Sequence, residues 1–245
     1  MQILEHGESK QLKSTTVANT ALAANLSANK SYSHGTRKII DGIEPFNELF
    51  YRSCYYNSLF PVIRYYDKDV ACFLANDLAV YTCNELSGYK TIDVEYIEYE
   101  PLESVLEKVG VSVSSKESSD NIISDIITSI NNDRTVIIWV DCYYASIREE
   151  TYQKDHMMHT WLIYGYDLEK KVLYIVEHLY RDNLNYEKRV IGFSDVEQSY
   201  KGYLENSPEA HNDHSFYEFY KTPEQFENMA ADNVRRCLAK KYQSK

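Results

Sequence analysis

Thr135-Val-Ile-Ile-Trp-Val constrains the fold of this chain more than any other segment. It is a short, continuous apolar run, the pattern of a strand buried at the centre of a sheet. Partners follow at once. Met157–Tyr166 reads as another strand, a turn from Asp167 to Lys170 leads into Val172-Leu-Tyr-Ile-Val, and Tyr186–Phe193 reads as a third. The earlier half supplies helices. Ser53 is a good N-cap for a run from Cys54 to Tyr66 with Leu59, Val62 and Ile63 at helical spacing, although Pro61 kinks or shortens such a helix. Ile122, Ile123, Ile126, Ile127 and Ile130 form one apolar stripe between about Ser119 and Asn131. Helices first and an antiparallel sheet after them make an α+β protein.

Residues 1–38 are rich in Ser, Thr, Ala, Asn and Lys and are expected to form a partly mobile N-terminal arm; Val17–Leu26 is its one helical piece. Residues 39–245 then form a single domain. Within it, 69–86 fits helix or strand equally, while Thr91–Tyr99 alternates as a strand with one wet face. Pro101 opens a short helix that Gly110 ends. Residues 194–220 read as polar and irregular with a helix early on, and Pro223 opens a charged C-terminal helix running to about Tyr242.

A net charge of −11 argues against a nucleic-acid partner, whose phosphates need clustered Lys and Arg. No stretch approaches the roughly 18 apolar residues of a spanning helix, so no membrane role is expected. The five cysteines at 54, 72, 83, 142 and 237 are odd in number and contain no Cys-x-x-Cys, which fits reduced thiols and a cytoplasmic setting. Glycine-rich phosphate loops, Gly-x-Ser-x-Gly elbows and paired-carboxylate signatures are absent from the sequence.

Cys54 opens a helix, where the dipole favours thiolate and free N–H groups can receive an oxyanion. Taken alone it is better explained as a core thiol, and the polar Arg52-Ser53 before it and the distant His159 shift that balance. His159 opens a strand. Counting outward from the hairpin turn brings Glu177 almost opposite it, where a carboxylate would fix the imidazole tautomer and raise its basicity. An incidental cross-strand His–Glu pair is the bland alternative. Two His-x-x-His pairs, 156/159 and 211/214, invite a zinc reading, but no further ligand is spaced to complete it and no metal is expected. Cys142, after the central strand, is the rival nucleophile, without a helix start to activate it.

At Cys54-Tyr-Tyr-Asn-Ser-Leu, His159-Thr-Trp-Leu-Ile-Tyr-Gly-Tyr-Asp and Val172-Leu-Tyr-Ile-Val-Glu, the chain resembles the butirosin-biosynthesis protein H N-terminal domain family. The resemblance implies a papain-like fold and a cysteine acyltransferase of natural-product biosynthesis. In that reading Cys54 is the nucleophile, His159 the general base and then acid, and Glu177 the orienting acid. The donor is an acyl group on the phosphopantetheine thioester of an acyl or peptidyl carrier protein, the acceptor a small amine, and no cofactor is bound. Arg181, Lys188 and Arg189 are candidates for a basic patch that docks the carrier. Related peptidases place a glutamine upstream of the cysteine for the oxyanion hole; here Asn47, Glu48 and Arg52 stand in that region. Asn47, Ser53 and Tyr55 are the candidate oxyanion or substrate contacts. The same triad would serve a thioesterase, amidase or peptidase. An inactive papain-like binding module is the other class, marked by a sulfur-to-nitrogen distance well beyond about 5 Å.

Overall fold

The computed structural model describes residues 35–86, 89–178, 185–208 and 214–222. The segment Val17–Leu26 and the expected C-terminal helix beyond Thr222 lie outside the described residues, as do Cys237, Arg181 and His211. Among the described residues no helix is long and apolar enough to cross a membrane.

The central apolar run is β5 (Thr135–Asp141), and its residues 136–138 and 140 are fully buried. It pairs antiparallel with β6 (Met158–Asp167), which pairs in turn with β7 (Val172–His178), and β7 with β8 (Tyr186–Gly192). The hairpin turn sits one residue further along than Asp167–Lys170, at 168–171, because Asp167 is still paired with Val172 and Lys171 takes the left-handed φ of +54° that closes it. On the other side of β5 lies β9 (Phe216–Lys221), followed by β4 (Val111–Lys116) at the edge. β9 corrects the expectation of irregular chain over 194–220. Phe216 and Phe219 are both buried but three apart, so no period of two advertises the strand. β9 is specified by fitting between β4 and β5.

A short strand, β1 (Arg37–Ile39), runs beside the far end of β6, so the folded body reaches two residues into the segment read as an arm. Gly165 makes this possible. A Cβ there would lie 2.8 Å from the Lys38 carbonyl oxygen and 3.0 Å from the Ile39 Cα. Gly165→Ala is therefore expected to push β1 away and cost about 1–3 kcal/mol, read as a lowered thermal midpoint; an unchanged midpoint would show that β1 contributes nothing.

Five α-helices complete the described fold. α1 (Cys54–Tyr65) runs its full expected length with Pro61 inside it, buried, and packs against β6. The undecided stretch resolves into α2 (Ala71–Asn76) followed directly by β2 (Asp77–Leu86). β2 pairs with β3 (Tyr89–Glu98) as a separate two-stranded hairpin. α3 (Leu102–Val109) ends on Gly110 at φ +77°, as the sequence suggests. α4 (Ile122–Asn131) is capped by Asn121 Oδ1, which accepts from Ser124 N–H (3.1 Å), and buries Ile122, Ile123, Ile126 and Ile130. α5 (Phe193–Asn206) lies along β5, with Tyr203 stacked on Trp139. The outcome is a mixed α+β architecture on an antiparallel sheet.

Candidate active site

A strained turn launches the helix that carries Cys54. Ser53 N–H donates to the Tyr51 carbonyl (2.6 Å), closing a turn that leaves Arg52 at φ +54°. A left-handed residue with a side chain costs about 1–2 kcal/mol. The Arg52 side chain anchors it. Its guanidinium donates to the Tyr56 hydroxyl (3.1 Å), pairs with Asp77 (3.3 Å) and Glu98 at the base of the β2–β3 hairpin, and lies over the rings of Tyr56 and Tyr96. Cys54 then enters as the first residue of α1. At this first turn the N–H groups of Cys54 and Tyr55 have no preceding helical carbonyl to bond.

The half-buried Cys54 thiol lies beside His159 and Thr160. One turn further, Ser58 Oγ meets Thr160 Oγ1 at 2.9 Å, both groups buried. Residues four apart on a helix share a face, so Cys54 and Ser58 together seat α1 on β6. Burial alone would raise the thiol pKa; the charge of His159 and the hydrogen bonds from His159 and Thr160 outweigh it and lower the pKa. Cys142 has no such help, and burial pushes its thiol well up.

His159 is buried and turns Nε2 to Glu177 Oε1 at 3.0 Å, leaving Nδ1 as the ring nitrogen for the thiol. Burial disfavours its cation, yet the Glu177 carboxylate and then Cys54 outweigh that penalty and hold the pKa at about 9. Glu177 itself is fully buried, and burial opposes its charge too. His159 and Arg148 prevail and hold its pKa down at about 2.

The sequence reading placed Glu177 almost opposite His159. A β-bulge between Ile163 and Gly165 adjusts this: Leu162 pairs with Val176, so the ladder continues with Glu177 beside Trp161, diagonal to His159. That distance suits a glutamate side chain, because diagonal neighbours sit about 7–8 Å apart at Cα. Glu177 accepts from four donors: His159 Nε2, Trp161 Nε1, the His178 backbone N–H (2.7 Å) and Arg148 Nη1 (3.2 Å).

Arg148 is the residue that sequence reasoning missed. It lies in irregular chain after β5, is completely buried, and also donates to Glu150 (2.9 Å) and to His178 Nε2 (3.0 Å). Nothing local in Ser146-Ile-Arg-Glu-Glu-Thr distinguishes this arginine from a solvated one.

The remaining candidates take other places. Asn47 clamps β8: its Nδ2 donates to the Tyr186 carbonyl (2.9 Å) and its Oδ1 accepts from the Tyr186 N–H (2.7 Å). The Tyr186 ring in turn packs on His178 at 4.8 Å. Asn47 thus shapes the site from behind, with one Nδ2 hydrogen uncommitted by this clamp. Ser53 makes no side-chain cap bond. The Tyr55 ring packs on Tyr217 and lines a cleft of about 220 Å³ with Leu106 and Val113, which neither Cys54 nor His159 borders. His156 turns away from His159 and bonds buried Asp141 through Nδ1 at 2.6 Å, so the first His-x-x-His pair is split between two carboxylates. His159, Glu177 and His178 do bring ligand atoms within 4.8 Å of one another. The Arg148 guanidinium already supplies the cation there, and it would repel a metal ion.

The family model for butirosin biosynthesis protein H, N-terminal, matches residues 54–178, half of the chain. The chain belongs to this family. A search of curated proteins finds no match. In this member of the butirosin biosynthesis protein H family, the matched stretch opens on Cys54 and closes one residue past Glu177. It holds Arg148 and His159 between them, while the Asn47–Tyr186 clamp lies outside it.

Proposed function

We propose that the protein is a papain-like cysteine acyltransferase of natural-product biosynthesis. The observation that carries this reading is the Cys54 thiol at a helix N-terminus, its pKa lowered by the neighbouring His159, whose ring hydrogen-bonds buried Glu177. It is the nucleophile–base–orienter arrangement of covalent acyl transfer. The Cys54 thiolate attacks the carbonyl carbon of an acyl thioester, and the oxyanion forms beside the N–H groups of Cys54 and Tyr55. Collapse breaks the donor carbon–sulfur bond; the His159 imidazolium protonates the departing thiolate. An amine then attacks acyl-Cys54, His159 takes its proton, and Cys54 leaves as thiolate. The donor in this proposal is the phosphopantetheine arm of an acyl or peptidyl carrier protein, the acceptor a small amine, and the setting the cytoplasm.

Incubation with carrier-bound and small acyl thioesters, followed by intact mass, is expected to give one acyl adduct that is absent from Cys54→Ala. Adding amines should discharge it to amide, whereas discharge to free acid alone would make the protein a hydrolase. If the wild type forms no adduct with any thioester, the covalent reading fails; an adduct surviving in Cys54→Ala would move the nucleophile to another thiol.

A further inference from the structure

The β2–β3 hairpin is the place where the fold leaves apolar surface bare. Its register pairs Ala79 with Tyr96, Tyr81 with Val94 and Cys83 with Ile92. Directly opposed residues in an antiparallel pair project to the same side, so these six form one face with no charged side chain among them. The face is open: Tyr81 is 70% exposed, Ile92 69% and Val94 43%, and Ala79 and Cys83 are exposed as well. The opposite side is mixed: Thr82, Asp93 and Glu95 stand toward the tip, with Val80 beside Glu95 and the exposed Leu78 and Ile97 at the base. The alternation that marks a half-buried strand is therefore present, yet neither side is covered within the chain's described residues. Charged pairs border the six at both ends of the register: at the base Asp77 and Glu98 hold Arg52 and the Tyr96 ring meets Tyr51, and the next pair beyond Cys83 and Ile92 is Glu85 with Lys90.

Two further considerations say what covers it. A lone two-stranded hairpin is at best marginally stable in water, so ten-residue strands of this kind need a partner surface. The open area of the six side chains is on the order of 600 Å² per copy; a twofold pairing would thus bury about 1,200 Å², the lower edge of a standard-size interface. An uncharged face has nothing that repels its own image, and a patch that large is at the limit of what monomers leave exposed. We propose that this face is a homodimer interface, two copies packing their hairpins face to face about a twofold axis.

Sedimentation and light scattering of the full chain test this. If the face pairs as proposed, at about 50 µM the wild type is expected at twice the 28.6 kDa chain mass. Val94→Lys, which puts two charges into the twofold contact, should run as a monomer with an unchanged circular dichroism spectrum. Glu95→Lys, one position along on the wet side, should stay dimeric. A wild type at the monomer mass overturns the proposal, and hairpin amides protected from hydrogen exchange in that monomer would assign the cover to another part of the chain. A dimer that Val94→Lys leaves intact, or that Glu95→Lys also dissociates, overturns it equally.

Discussion

Glu177→Gln is expected to slow acylation of Cys54 by about 10³–10⁴-fold, the loss seen when a catalytic imidazole is deprived of its orienting acid. Two effects converge. His159 owes its raised pKa first to Glu177 among the groups that favour its charge, so losing the carboxylate lowers the imidazole pKa and with it the support for the Cys54 thiolate. The amide also cannot take over the hydrogen bonds. All four neighbours of Glu177 are donors, and a glutamine NH₂ would have to face one of them in a fully buried site. The same variant should therefore move the pH midpoint of Cys54 alkylation by iodoacetamide upward, toward that of an ordinary thiol near 8.5. A variant within tenfold of wild type in acylation, with an unmoved alkylation midpoint, would remove Glu177 from the mechanism.

Arg148→Met is expected to produce the largest loss of stability. Removing one partner of a buried ion pair leaves the other uncompensated and costs about 3–5 kcal/mol; in a chain of this size that lowers the thermal midpoint by about 6–20 °C. The pH dependence separates this cause from lost packing. Glu177 has a folded pKa near 2, below its ordinary value, so its contribution is present above pH 4.5 and lost as pH falls through 2. Without Arg148 that folded pKa rises and the loss begins at higher pH, because the carboxyl is more easily neutralised. The gap between wild type and variant should be widest at pH 7 and narrow toward pH 3. A gap independent of pH would mean that Arg148 matters only for the volume it fills.

These two residues mark how far local sequence carries the site. Cys54 and His159 are legible because each opens an element, and Glu177 because a hairpin turns counting into proximity. Arg148 is not, since its neighbours Glu149 and Glu150 give it the look of a solvated charge run, and only the carboxylate brought up by β7 explains its burial. Asn47 is legible as a polar residue near the cysteine, but its clamp on Tyr186 spans 139 positions of chain. The fold divides the same way. α3 and α4 follow from caps and stripes, whereas β9 exists because a gap between β4 and β5 waits for it. The β2–β3 hairpin shows the opposite failure: the alternation of its second strand is plain, but alternation does not say whether the apolar side is covered.

The bulge at Tyr164 decides the identity of the histidine's partner by parity. Below it, paired positions on β6 and β7 sum to 339, as in Asp167 with Val172; above it they sum to 338, as in Leu162 with Val176. Carried on without the extra residue, the lower register would set His178 beside Trp161 and turn Glu177 to the other side of the sheet. Adjacent residues on a strand are therefore an acid and an imidazole competing for one place. A single inserted or deleted residue in this hairpin would exchange them while leaving its apolar composition almost unchanged, so the count of residues between His159 and Glu177 decides which side chain the imidazole meets.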